Sequence, residues 1–113
     1  MVNVMGFASS YQAKRCSALD AVKLVRNGDA VVVPTGVAEP PALLEALSTQ
    51  RREYQGVTVS QILPVRNYGY FDPETAQHVR HVAYFLGGPS RPGAQAGWVD
   101  YIPSYFSEMP ALM

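Results

Sequence analysis

The chain has 113 residues, with nine basic and nine acidic side chains, a formal net charge of zero, 16% charged residues and 48% apolar ones. A neutral, weakly charged chain is a poor electrostatic partner for nucleic acid, and this apolar content excludes disorder. At this length one domain buries roughly two-thirds of the surface its unfolded chain exposes, so a real core can form.

Residues 1–12, MVNVMGFASSYQ, precede the first basic residue, Lys14, and lack the charged and apolar regions of a secretory signal. They read as a short lead-in with no targeting role. Cys16 is the only cysteine, which excludes an internal disulfide and a cysteine-based zinc site and suits a reducing, cytoplasmic setting. No apolar run approaches the length of a membrane span, so no membrane partner is expected.

SALDAVKLVRNGD, from Ser17 to Asp29, reads as a helix. Ser17 is its N-cap and Asp20 sits at near capping-box spacing. Ala21, Val22, Leu24 and Val25 make its apolar face, and Asn27-Gly28 its stop. Ala30–Val33, AVVV, reads as a strand covered on both faces, because its β-branched residues run without alternation. A second helix follows over Pro41–Arg52, with Pro41 at its first turn and Leu43, Leu44 and Leu47 as its stripe. Gly56–Leu63 is a second strand, Val82–Gly87 a third and Trp98–Pro103 a fourth. DPETAQHVRH and RPGAQAG between them read as short helices or turns. This order predicts an α/β domain with a largely parallel sheet and flanking helices.

The loop Thr35–Pro40, TGVAEP, joins the first strand to the second helix. Parallel sheets bind ligands beyond the carboxyl ends of their strands, and a helix N-terminus there attracts anions. The loop has neither G-x-G-x-x-G nor G-x-x-x-x-G-K-[ST], and only Gly36 lets a backbone come close without a side chain. Glu39 could serve as nucleophile or base. Local sequence favours a plainer role, a negative charge stabilising the first turn of the helix.

Other residues carry weaker signals. His78 and His81, three apart, could share a helix face, but two histidines do not make a metal site. Arg80 and Arg91 could meet an anion or form ion pairs. The aromatics of the second half, from Tyr68 to Phe106, have too little positive charge among them for a base-stacking platform and read as core or interface. Ser60, Ser104 and Ser107 have no G-x-S-x-G setting.

ALDAVKLVRNGDAVVVPTGVAEPPALLEAL, taken as one block, resembles the opening of the acetyl-CoA hydrolase/transferase family, which includes 4-hydroxybutyrate, butyrate and acetate CoA-transferases. HVAYFLGGPSRPGAQAGWVDYIPSYFSEMPAL resembles the family's next block, through Phe85, Gly87, Arg91, Gly97, Asp100, Tyr101, Pro103, Ser107, Glu108 and Pro110. The order and spacing of these pieces, from Ala18 to the end, carry the resemblance. One departure is Ala38, where the family often has a second glycine before Glu-Pro.

The resemblance implies a sugar-phosphate-isomerase-like fold, present here as an incomplete N-terminal half-domain. It implies that Thr35, Gly36, Val37, Ala38, Glu39 and Pro40 line the acyl or CoA pocket. The family's glutamate nucleophile, which forms an acyl anhydride and then a glutamyl-CoA thioester, belongs to a C-terminal catalytic domain beyond Met113. Neither Glu39 nor Glu108 is that residue. Expected partners are an acyl-CoA, a small carboxylic acid, and either the missing C-terminal portion or a second copy of the chain. Coenzyme A would be a substrate, with no tightly bound cofactor and no metal. Acyl-CoA hydrolysis, ligand binding without turnover, or a purely structural fragment are the alternatives.

Overall fold

The computed structural model describes residues 4–113, with side chains from residue 6 onward. Its centre is a four-stranded sheet in the order β1 (Ala30–Val33), β2 (Val57–Gln61), β3 (Val79–Ala83) and β4 (Asp100–Tyr101), every neighbouring pair parallel. Between the strands lie α3 (Pro41–Thr49), a 3-10 turn at Pro73–Thr75 and α4 (Arg91–Ala96). Two helices precede the sheet, α1 (Val4–Lys14) and α2 (Ala18–Val22), and α5 (Met109–Leu112) follows it. The α/β class and the parallel sheet are as the sequence predicts. Within the lead-in, residues 1–3 lie outside the described residues, and the rest form α1, whose residues from Gly6 onward are exposed.

Register divides the sheet into two unequal faces. Val31, Val59 and His81 stand side by side, as do Val33, Gln61 and Ala83, and Val57 with Val79. Apart from half-buried Val31, this face is fully buried. Leu44 and Leu47 of α3, Val22 of α2, and Tyr54, Tyr68 and Tyr70 join its valines in one core. The other face carries Ala30, Val32, Thr58, Ser60, Arg80, Val82 and Asp100, and Val32 is 53% exposed. The reading of β1 as a strand covered on both faces is therefore corrected. It is an edge strand, and only alternate residues reach the core.

Several boundaries also move. The first helix keeps its Ser17 cap, whose Oγ accepts from the Asp20 N–H at 3.1 Å. It ends at Val22 rather than at Asn27-Gly28, and Leu24 is exposed. The Tyr54 hydroxyl donates to the Val22 carbonyl at 2.9 Å, which holds this early end in place. Pro41 opens α3 as expected, but the helix stops at Thr49 and tightens into a 3-10 turn at Arg51–Glu53. Its stripe is Leu44 and Leu47, with Leu43 40% exposed. The third strand begins at Val79, three residues early. The alternation of Val79, His81 and Ala83 into the core wins over the apolar run that follows. The fourth shrinks to Asp100–Tyr101.

Candidate functional site

Because all four strands are parallel, their carboxyl ends meet at one edge of the sheet. The loops that leave β1, β2, β3 and β4 gather there. An open hollow of about 360 Å³ lies among them, lined by Thr35, Leu63, Tyr84, Phe85, Ser104 and Phe106 among others. Its walls are mainly apolar. The Ser104 hydroxyl is buried and has no hydrogen-bond partner among the described residues.

The loop Thr35–Pro40 turns sharply at Gly36, whose φ of +59° lies in the left-handed region that favours glycine. Gly36–Ala38 makes one 3-10 turn, and Pro40 and Pro41 lead into α3. Val37 at the tip is fully exposed, and Thr35 and Ala38 are exposed beside it. A smaller hollow of about 180 Å³ opens between Gly36, Val37 and Glu39 on one side and Val65 and Arg66 on the other.

Glu39 does not stabilise the first turn of α3, as local sequence suggests. Its side chain turns inward and is 7% exposed. The carboxylate accepts from Gln61 Nε2 at 3.0 Å, the Val65 N–H at 3.2 Å and the Tyr68 hydroxyl at 2.9 Å. The same Gln61 amide donates to the Pro34 carbonyl at 3.2 Å, and the Gly36 N–H donates to the Leu63 carbonyl at 3.0 Å. Five hydrogen bonds thus brace the loop after β1 against the end of β2 and the loop that follows it. Burial, reinforced by the carboxylate it serves, pushes the Tyr68 hydroxyl up to about 12, so it stays a donor at neutral pH.

Sequence reasoning reads Tyr68 only as a core or interface aromatic and does not single out Gln61. The available signal was a glutamine closing the strand VTVSQ, where a fully buried polar side chain needs a partner.

The histidines and arginines take no part in this brace. His78 and His81 do not share a helix face. His81 is in β3 with its side chain in the core, and His78 lies in the preceding turn, with Nδ1 2.7 Å from the Tyr54 carbonyl. Arg80 forms a two-pronged ion pair with Asp100, Nε to Oδ2 at 2.5 Å and Nη2 to Oδ1 at 2.6 Å. Arg91 is exposed and donates to the Leu86 carbonyl at 3.1 Å. Tyr68, Tyr70 and Tyr84 are core residues, whereas Phe85, Tyr101, Tyr105 and Phe106 are exposed around the carboxyl edge. No group of three or more metal-ligating side chains, and no helix long and apolar enough to cross a membrane, occurs among the described residues.

Comparison with known proteins adds a family. Residues 1–113 match the family model of the acetyl-CoA hydrolase/transferase N-terminal domain. A succinyl-CoA:cyclohexane-1-carboxylate CoA transferase of Geobacter metallireducens is 34% identical over 95% of this chain and 24% of its own length. A 4-hydroxybutyrate coenzyme A transferase of Clostridium kluyveri is 32% identical over 96% of this chain and 25% of its own length. The chain thus spans about a quarter of the length of these curated relatives. The crystal structure of RipA from Yersinia pestis superposes with a TM-score of 0.78 at 24% identity, covering 94% of this chain and 27% of that one. That likeness shows the fold.

Proposed function

The chain belongs to the acetyl-CoA hydrolase/transferase family, matching its N-terminal domain, and from that premise we propose that it is the N-terminal portion of a CoA-transferase. The enzyme moves CoA from an acyl-CoA to a small carboxylic acid of the acetate, butyrate or 4-hydroxybutyrate type. The transfer runs through a glutamyl-CoA thioester on a glutamate that follows Met113 in the full-length enzyme. In this reading Thr35–Pro40 line the acyl or CoA pocket by shape and by backbone contact. The chain alone is inactive.

The observation that carries the reading is the position of this loop. It stands at the carboxyl edge of a parallel sheet, where such folds bind ligands. Its Thr35 lines the larger, mainly apolar hollow, and its Gly36 turn and exposed tip line the smaller one. Mainly apolar walls suit the hydrocarbon part of a short acyl group.

The test is an exchange assay on the full-length protein. Labelled acetate, butyrate and 4-hydroxybutyrate are each incubated with a panel of acyl-CoAs. New acyl-CoA that carries the label supports transfer. Free CoA released without labelled product indicates hydrolysis, with water in place of the carboxylate. Neither product excludes both reactions, and direct measurement of acyl-CoA binding then separates binding without turnover from a purely structural role.

A further inference from the structure

We propose that Glu39 is a positioning residue, an internal clamp that fixes the loop after β1 against the loop after β2 and so sets the shape of the pocket. The proposal rests on the CoA-transfer reading for its effect on activity, but the clamp itself stands on geometry.

A carboxylate that reacts with substrate needs an open oxygen. Both oxygens of Glu39 are engaged from inside the protein. Oε2 accepts from Gln61 Nε2 and the Val65 N–H, and Oε1 accepts from the Tyr68 hydroxyl. All three donors are neutral, and no lysine, arginine or histidine forms an ion pair with Glu39 among the described residues. A buried carboxylate held this way depends on its hydrogen bonds, and losing them strands the donors as well. The donors come from β2 and the loop after it, while Glu39 belongs to the loop after β1. Gln61 spans the two, since Nε2 also holds the Pro34 carbonyl at the exit of β1. This double donation fixes which end of the amide faces Glu39. Gly36 hangs from the same brace through the Leu63 carbonyl. Releasing the buried Glu39 side chain therefore frees the turn that faces the pocket while the loop backbone that the proposed function sets against substrate stays in the chain.

The chemistry separates this role from a catalytic one. In Glu39→Gln, the amide oxygen can replace Oε2 and keep the Gln61 and Val65 donors. The amide nitrogen can replace Oε1 and donate to the Tyr68 oxygen. A clamp survives that exchange, whereas a nucleophile or base does not.

The experiment compares Glu39→Ala, Glu39→Gln and Tyr68→Phe in the full-length protein. It reads kcat and KM for CoA transfer, and hydrogen exchange of the Gly36 amide by NMR. We expect Glu39→Ala to lower kcat/KM about 10²-fold, the scale of a small misplacement in a binding site. Its Gly36 amide should exchange at least about tenfold faster, as an opened brace requires. Glu39→Gln should restore both readouts to within a few-fold of the parent. Loss of activity in Glu39→Gln with a protected Gly36 amide overturns the proposal in favour of a chemical role. Unchanged exchange in Glu39→Ala overturns it as well. If Glu39→Ala does not fold, Tyr68→Phe, which removes a single donor, must still speed exchange at Gly36. If the parent transfers no CoA, the functional reading fails, and the exchange data alone decide the clamp.

Discussion

The ring of Phe71 lies 4.6 Å from that of His81, tilted by 56°, and closes the histidine into the core. His81 is 1% exposed, and neither ring nitrogen has a hydrogen-bond partner among the described residues. Tyr70 approaches from the same loop, with its ring 6.3 Å away. Burial drives the imidazole down from its ordinary 6.5 to about 4, only partly countered by the Val59 backbone.

That relationship predicts acid sensitivity. The unfolded chain takes up a proton near pH 6.5, while the folded chain resists it down to about pH 4. Stability is therefore full above pH 6.5 and falls as the pH drops toward 4, by about 3 kcal/mol at most. Urea unfolding of the full-length protein between pH 7.5 and 4.5 measures the slope. His81→Phe, apolar and unable to titrate, should flatten it. An identical slope in the two proteins would show that other groups set the acid limit.

Gly36 yields a second prediction. A Cβ built there meets no heavy atom within 4 Å, so the described chain has room for a side chain. The left-handed backbone does not favour one, at a cost of about 1–2 kcal/mol for an L residue. Gly36→Val should then raise KM for acyl-CoA, through strain in the loop and bulk in the pocket. Gly36→Asn, better tolerated at positive φ, should lose less stability than the valine variant. Steady-state kinetics with thermal melts separate the two contributions, and unchanged kinetics in Gly36→Val would remove this loop from the pocket.

The Arg80–Asp100 pair ties the two-residue strand β4 to β3. Its hydrogen bonds raise the guanidinium further and hold the Asp100 carboxyl below its ordinary range. Both side chains are more than a third exposed, so solvent limits the pair to about 1 kcal/mol. Asp100→Asn should loosen β4 more than the core. The sensitive reporter is the Ile102 N–H, which donates to the Ala83 carbonyl at 2.9 Å. Its exchange should accelerate while that of the β2 amides stays near the parent rate.

Residues 1–113 expressed alone should associate. β1 is an edge with Val32 half-exposed, and the second face of the sheet is less buried than the first, with Ala30 exposed and Thr58, Arg80 and Val82 half-buried. Light scattering during size-exclusion chromatography should give a mass that rises with concentration. A monomer with a sharp unfolding transition would show that this unit stands without a partner.

Much of the fold is legible in local sequence. Ser17 as a cap, Pro41 at a first helical turn, AVVV and VTVSQ as strands, and RPGAQA as a short helix all follow from short-range sterics and hydrogen bonding. The family, too, follows from the order of motifs along the chain.

What local sequence could not decide is what each element packs against. It cannot say that β1 lies at an edge, because a run of valines looks the same in the middle of a sheet. Nor can it say that β3 starts at Val79, because the choice depends on which residues face α3 and the aromatic loop. Glu39 makes the point most sharply. Beside two prolines and a helix start, its charge looks like a surface feature. Only when β2 is laid parallel to β1 do Gln61, Val65 and Tyr68, 22 to 29 residues away in the chain, converge on its two oxygens. Hydrogen-bond partners of a buried carboxylate are set by the register between strands, and tertiary packing creates that register.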